Sequence, residues 1–259
     1  MVKPNKLNAD RQTLSELEIY NDNSTSLNIF DILDRTITTG GKDNLKLQFQ
    51  SPFITPSEII AMQDVLKVIS KDIEKWQIPF TKKMMDTVEV YYFSKSETVI
   101  SENPIGRYIE GHFYSFKYKD FKETAINGTK NTLHFLLEMK RYFNRFDKNR
   151  LPLLLQQVHS TVQQIMDDKD IQSACSVENI QSMGFNDSIT IDQWFRNKHK
   201  LKITTLIDIA YKLDVYLSMA KAVNELNLIF PEIIDSEKPV LELEGLYHLF
   251  LKKPTSNDL

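Results

Sequence analysis

A single cysteine, no long apolar run and no basic excess mark this chain of 259 residues, and each shortage removes a class of protein. One thiol, Cys175, excludes an internal disulfide and fits the reducing cytoplasm, where the chain is expected to reside. No activating partner for it is visible, so it reads as a small core or surface residue rather than a nucleophile. No stretch of 18 or more apolar residues occurs, so no helix is expected to span a membrane. Residues 1–20 are polar and charged without an apolar h-region, and so carry no secretory signal. Net charge −3 and a pI near 6.0 argue against a large nucleic-acid-binding surface, but not against a local basic patch.

Missing motifs narrow the chemistry further. No Gly-x-x-x-x-Gly-Lys-Ser/Thr occurs, so nothing cradles a triphosphate by that route. Thr39-Gly40-Gly41-Lys42 lacks the preceding strand and the first glycine, and reads as a turn that starts a helix. The five histidines (His112, His134, His159, His199 and His248) show no metal-ligand spacing with a cysteine or carboxylate, so no metal site is expected. No nucleophile elbow is present. Asp31 and Asp34, beside Arg35, read as capping and ion-pairing groups rather than an acid/base pair.

What is present is helical. Length and 41% hydrophobic content suit one large domain or two small ones. Residues 1–26 read as an arm, rich in turn formers from Asn21 to Ser26, with a short helix within Thr13 to Tyr20. Thr55-Pro56-Ser57-Glu58 is a capping box followed by Ile59, Met62, Val65, Leu66, Ile69, Ile73 and Trp76, which predicts about five helical turns ending before Pro79. Lys82 to Phe93 is read as a helix, although Val88, Val90 and Tyr91 to Phe93 also suit a strand. Ser94 to Tyr118 is read as a loop or small hairpin, punctuated by Gly106 and Gly111. A long helix is predicted from Asp120 to Arg145, with Asp120 and Glu123 as its start signal and Asn127-Gly128 as its weak point. Further helices are predicted over Leu151 to Asp168 and Thr204 to Leu228, the latter stopped by Pro231. Thr190-Ile-Asp-Gln193 matches a second capping box, opening a short helix through Trp194 and Phe195. Val240 to Leu243 alternates like a strand. The fold class read from this pattern is all-α, with long helices and at most minor β structure.

Two motifs carry a family resemblance. Leu27, Phe30, Asp31, Leu33, Asp34, Arg35, Thr36, Thr38, Gly41 and Pro52 stand where a pattern of the form S-L-F-D-L-L-D-R-T-x-T-x-x-G, then a Pro, expects them. That pattern resembles the opening of the core domain of MutS-family proteins, the dimeric DNA-clamp ATPases of mismatch repair. Ile209-Ala-Tyr-Lys-Leu-Asp214 with Ser218-Met-Ala220 is similar to that family's returning long helix. Phe230-Pro231, Leu241-Glu-Leu243, Tyr247-His248 and Ser256-Asn257-Asp258 resemble the approach to its ATPase domain. The departures are Asp43 where arginine is common and Leu249 where proline follows the histidine. Too few residues lie between Asp168 and Thr204 for a DNA-gripping clamp, and no Phe-x-Glu mismatch wedge is present. The resemblance implies an arm over 1–26, a shortened, clampless core and lever over 27–239, and the start of an ATPase domain over 240–259, where the chain breaks off. It implies ATP, Mg and homodimerisation only through an ATPase domain beyond these residues, and no enzyme within them.

One run stands out as a contact for DNA. Trp194-Phe-Arg-Asn-Lys-His-Lys-Leu-Lys202 puts Arg196, Lys198, Lys200 and Lys202 beside an aromatic pair, the mix that binds phosphates and stacks bases. A solvated turn whose aromatics staple two helices is the simpler account, because short basic runs are common on surfaces. A second cluster, Lys140, Arg141, Arg145, Lys148 and Arg150, is weighed the same way. The alternative to a lever is a free-standing helical module that binds protein or nucleic acid without turnover.

Overall fold

The computed structural model of the chain describes residues 9–20, 28–93, 97–177, 179–234, 236, 238, 240–251 and 255–258. Asn21 to Leu27, which include the turn-favouring stretch and the first matched position of the opening pattern, lie outside the described residues. Among the described residues there are eleven α-helices and no strand, so the protein is all-α. These are α1 (Arg11–Glu16), α2 (Ile29–Leu33), α3 (Thr39–Gln50), α4 (Pro56–Ser70), α5 (Lys82–Phe93), α6 (Pro104–Lys117), α7 (Phe121–Phe143), α8 (Leu153–Met166), α9 (Lys169–Cys175), α10 (Phe185–Gln193) and α11 (Lys200–Glu225). No described helix is long and apolar enough to cross a membrane.

Two long helices organise the rest. Along α11, the run from Ile203 to Ala222 is buried on nearly every face, which a helix tolerates only when neighbours surround it. Those neighbours are α2, α3, α4, α5 and α8. The second axis is α7, packed by α5, α6, α8, α9 and α10. One apolar core runs from Phe30 to Ala220 through both helices, with the Trp76 and Phe146 rings stacked at 4.2 Å near the α7 C-terminus.

The Thr55 capping box forms: Glu58 N–H donates to Thr55 Oγ and Thr55 N–H to the Glu58 carboxylate, both at 3.3 Å. The helix behind it is 15 residues rather than five full turns. Asp72 ends it early by accepting a bond from Lys75 N–H, which starts a separate 3₁₀ turn over Ile73–Trp76. The helical reading of Lys82 to Phe93 is the correct one: Val88, Tyr91 and Tyr92 are buried at helical spacing. The Asn127-Gly128 pair does not break α7, because Gly128 lies against the Tyr91 ring where a side chain would not fit.

Four expectations are overturned. The loop or hairpin read over Ser94 to Tyr118 is instead helical over Pro104–Lys117, because Asn103 caps α6 through Gly106 N–H at 2.6 Å with Pro104 at the first helical position; residues 94–96 lie outside the described residues. Asp120 makes no side-chain cap on α7. Thr190 opens no helix; it lies inside α10, which starts at Gly184, whose N–H donates to Asp187 at 3.2 Å. Val240 to Leu243 forms no strand, having no pairing partner; the bridge seen among the described residues joins Leu246 and Asn257. The final helix runs from Lys200 rather than Thr204, and to Glu225, ahead of the left-handed Asn227, rather than to Leu228. The described part of the arm is docked: Ala9 N–H donates to Gln50 O and Ile29 N–H to Glu18 O.

Alanine is the better helix former by about 1 kcal/mol, yet Gly128→Ala is expected to lower the unfolding temperature. The added methyl must displace the Tyr91 ring, at a cost of about 1–3 kcal/mol. Thermal unfolding by circular dichroism decides the sign.

Candidate functional site

Two polar constellations stand out along the Lys200-to-Glu225 helix, one on its second half and one at its start. The first joins the opening pattern to the returning helix. The Asp214 carboxylate accepts from Thr38 N–H at 2.8 Å, from Thr38 Oγ–H at 2.6 Å and from Ile37 N–H at 3.1 Å. Thr38 Oγ in turn accepts from Gly41 N–H at 3.0 Å, so Asp214 anchors the cap of α3. Gly41 faces that carboxylate with no room for a Cβ. Burial pushes the Asp214 carboxyl upward, and the Asp34 charge adds to this against the lowering effect of the Thr38 and Ile37 donors.

Neighbouring residues complete the junction. Arg35 N–H donates to Ser218 Oγ at 2.7 Å, and its guanidinium bonds Ile32 O, Asp34 O and Glu225. Asp34 accepts from Thr36 N–H at 2.9 Å and Thr36 Oγ–H at 2.6 Å, and pairs with Lys42 at 3.0 Å. Burial opposes ionisation of Asp34, but the Thr36 donors and Lys42 outweigh it and hold the carboxyl low. Asp31 bonds Asn28 within the first turn of α2. These acids cap and pair.

The second constellation is the basic run. Trp194–Lys198 winds as a π-helical turn, closed by His199 N–H to Trp194 O at 2.7 Å. Phe195 is buried outright and Trp194 packs half-buried on the core, so the aromatics staple the junction rather than offer a stacking platform. Arg196 turns inward. Its side chain is 4% exposed, with Nε 2.7 Å from Asp192 Oδ1, an Nη2–H donated to Glu97 O at 2.7 Å, and its plane over the Tyr91 ring. Tyr91 O–H donates to the same Asp192 oxygen at 2.5 Å. Burial disfavours the Arg196 charge, but Asp192 outweighs that and raises its pKa. Arg196 is therefore removed from the set of phosphate contacts: a buried guanidinium satisfied by a carboxylate cannot reach a backbone phosphate.

Lys198 pairs with Asp170 at 2.7 Å, and Lys202 with Asp168 at 2.6 Å. Lys200 is exposed and without an ion pair among the described residues. His199, buried, lies 2.8 Å from Asp170 and 3.5 Å from Asp168. Burial disfavours ionised Asp168, yet Lys202, the Ile171 N–H and His199 keep its carboxyl below the ordinary value. Lys198 foremost, then His199, does the same for Asp170. Asp168 also caps α9 through Asp170 N–H and Ile171 N–H. Asp168, Asp170 and His199 have donor atoms within 4.8 Å of one another, the spacing of a metal site, but both carboxylates already carry an ammonium partner. Sequence spacing missed this trio because about thirty residues separate His199 from its acids.

No protein-family model, curated protein or solved structure matches this chain. The site therefore stands on its own geometry.

The second basic cluster surrounds the α7 C-terminus. Arg141 pairs with Glu138, Arg150 with Asp147 at 3.4 Å, and Arg145 lies over Tyr142 and Phe146. Lys140 is exposed and Lys148 half-buried. Beside α1, α3, α4 and α11 runs an apolar groove of about 590 Å³ lined by Leu14, Phe49, Met62, Tyr216, Met219 and Phe230.

Removing one partner of a buried ion pair leaves the other charge uncompensated. Arg196→Ala is expected to cost about 3–5 kcal/mol in urea unfolding, whereas Lys200→Glu is expected to stay within about 0.5 kcal/mol of the parent. Equal, small effects would show that Arg196 is a surface cation after all.

Proposed function

We propose that this chain is a MutS-like core and lever domain, shortened and clampless, which couples an ATPase domain outside these residues to DNA or a partner. What carries the reading is the junction. The opening pattern and the returning-helix pattern are separated by 176 residues at Thr38 and Asp214, yet meet through a buried, three-donor carboxylate. Residues that resemble the family at two distant places in the sequence thus act on one another in space.

The long helix suits a mechanical link. At 1.5 Å per residue its 26 residues span about 39 Å, with Asp214 and Ser218 in its second half and the π turn at its start. A helix buried on nearly all faces passes displacement along its length instead of bending. Any contact with DNA falls to Lys198, Lys200 and Lys202, whose ammonium groups reach solvent, rather than to Arg196 or the aromatics. With so few cations, such a contact is weak and salt-sensitive unless other domains add to it. ATP and Mg belong to the coupled domain, because these 259 residues hold no phosphate-binding loop.

The test is the coding sequence beyond Leu259. A Gly-x-x-x-x-Gly-Lys-Ser/Thr motif within a few tens of residues is the expected result. A reading frame that closes without one would refute the lever and leave a free-standing helical interaction module.

A further inference from the structure

The Pro104–Lys117 helix is apolar on two opposite faces, and the fold covers one of them. Inward, Gly111 faces Ile189, and Tyr114 and Tyr118 pack with Phe121 and Val99. Outward, Ile105, Tyr108, Ile109, His112, Phe113 and Phe116 form a stripe at i, i+3, i+4, i+7, i+8 and i+11, in which the His112 ring also meets the fold, edge-on to Phe185 and 3.1 Å from Asn186 Oδ1. The five apolar members are each at least half exposed, with Ile105 at 74% and Phe116 at 92%. A surface helix normally turns charged residues to water, and a helix apolar all round is a buried one. This one lacks half of its burial.

We propose that the stripe is a self-association surface, closed by the same helix of a second copy lying antiparallel across it. This surface is separate from any dimer contact in an ATPase domain and forms whether or not the chain acts as a lever. Two observations select a second copy over other occupants.

The first is the pattern itself. A two-fold axis midway between Ile109 and His112 sets Ile105 against Phe116, Tyr108 against Phe113 and Ile109 against His112 of the second copy. Every stripe residue meets a stripe residue, the self-complementarity that an isologous interface requires. Antiparallel helices also oppose their dipoles favourably.

The second observation is area. With side chains of this type carrying roughly 150–250 Å² each, the exposed parts of the stripe amount to about 700 Å². That approaches the roughly 800 Å² per partner of a standard interface. A lipid surface fits less well: membrane-surface helices flank their apolar face with basic residues along its length, whereas this helix carries only Arg107, offset by Glu110, and Lys117 at its end, over Phe113.

Sedimentation equilibrium of the 259-residue chain tests the assignment. The expected result is a mass rising with concentration from 30.2 kDa towards twice that value. Phe116→Glu should raise the dissociation constant at least about tenfold with an unchanged far-ultraviolet spectrum. Ile105→Glu should weaken the dimer likewise, whereas Leu153→Glu, comparably exposed on α8 but off the stripe, should leave it unchanged, which reports this surface and not mere stickiness. A 30.2 kDa species at every concentration, or a dimer indifferent to Phe116→Glu, overturns the proposal. So does a monomer that pellets with phosphatidylcholine–phosphatidylglycerol vesicles, which would assign the stripe to a lipid surface.

Discussion

A buried carboxylate holding two distant pieces of chain together is the constraint on which this fold rests. Asp214 is 1% exposed, and leaving it there unpaired would cost several kcal/mol. The Ile37 and Thr38 donors offset that cost only if the chain before α3 lies in one position. Once it does, Thr38 caps α3, Arg35 reaches Ser218 and Glu225, and Gly40 and Gly41 bring the α3 backbone close to Tyr211 and Asp214. Sequence, cap, tertiary contact and helix packing are thus links of one chain of causes.

The far end of the same helix solves a different problem. A π turn at Trp194–Lys198 gives the backbone a wider loop, and Arg196 uses it to reach the interior, where Asp192, Tyr91 and Glu97 satisfy it. Asp168 and Asp170 then neutralise the outward-facing Lys202 and Lys198. A run that reads as a basic patch is therefore mostly spent on holding α9 and the π turn to the start of α11. This local neutralisation agrees with the modest net charge of −3, and it limits any nucleic-acid contact to a few solvent-reaching lysines.

Legibility followed the locality of the physics. The Thr55 box, the long helix α7 and the body of α11 depend on residues within a few turns, and local patterns find them. Helix α6 was hidden because Gly106 and Gly111 read as breaks, although Asn103-Pro104 announced its start. The Thr190 match shows the opposite error: a four-residue pattern recurs by chance inside a helix, where Thr190 Oγ simply bonds Asn186 O. The inward turn of Arg196 and the meeting of His199 with Asp168 and Asp170 could not be read at all, since a π turn breaks the 3.6 period and the partners are distant in sequence. The two halves of the Thr38–Asp214 junction were each visible as motifs, but their contact was not.

The most direct test of the account is a double-mutant cycle on that contact, comparing Thr38→Val, Asp214→Ala and the double variant by urea unfolding. If the carboxylate anchors the α3 cap, the two changes share one interaction, and the double variant should be less destabilised than the sum by about 1.5 kcal/mol or more. Effects that add to within about 0.5 kcal/mol would contradict it, and would leave Thr38 and Asp214 as neighbours that stabilise their own helices separately.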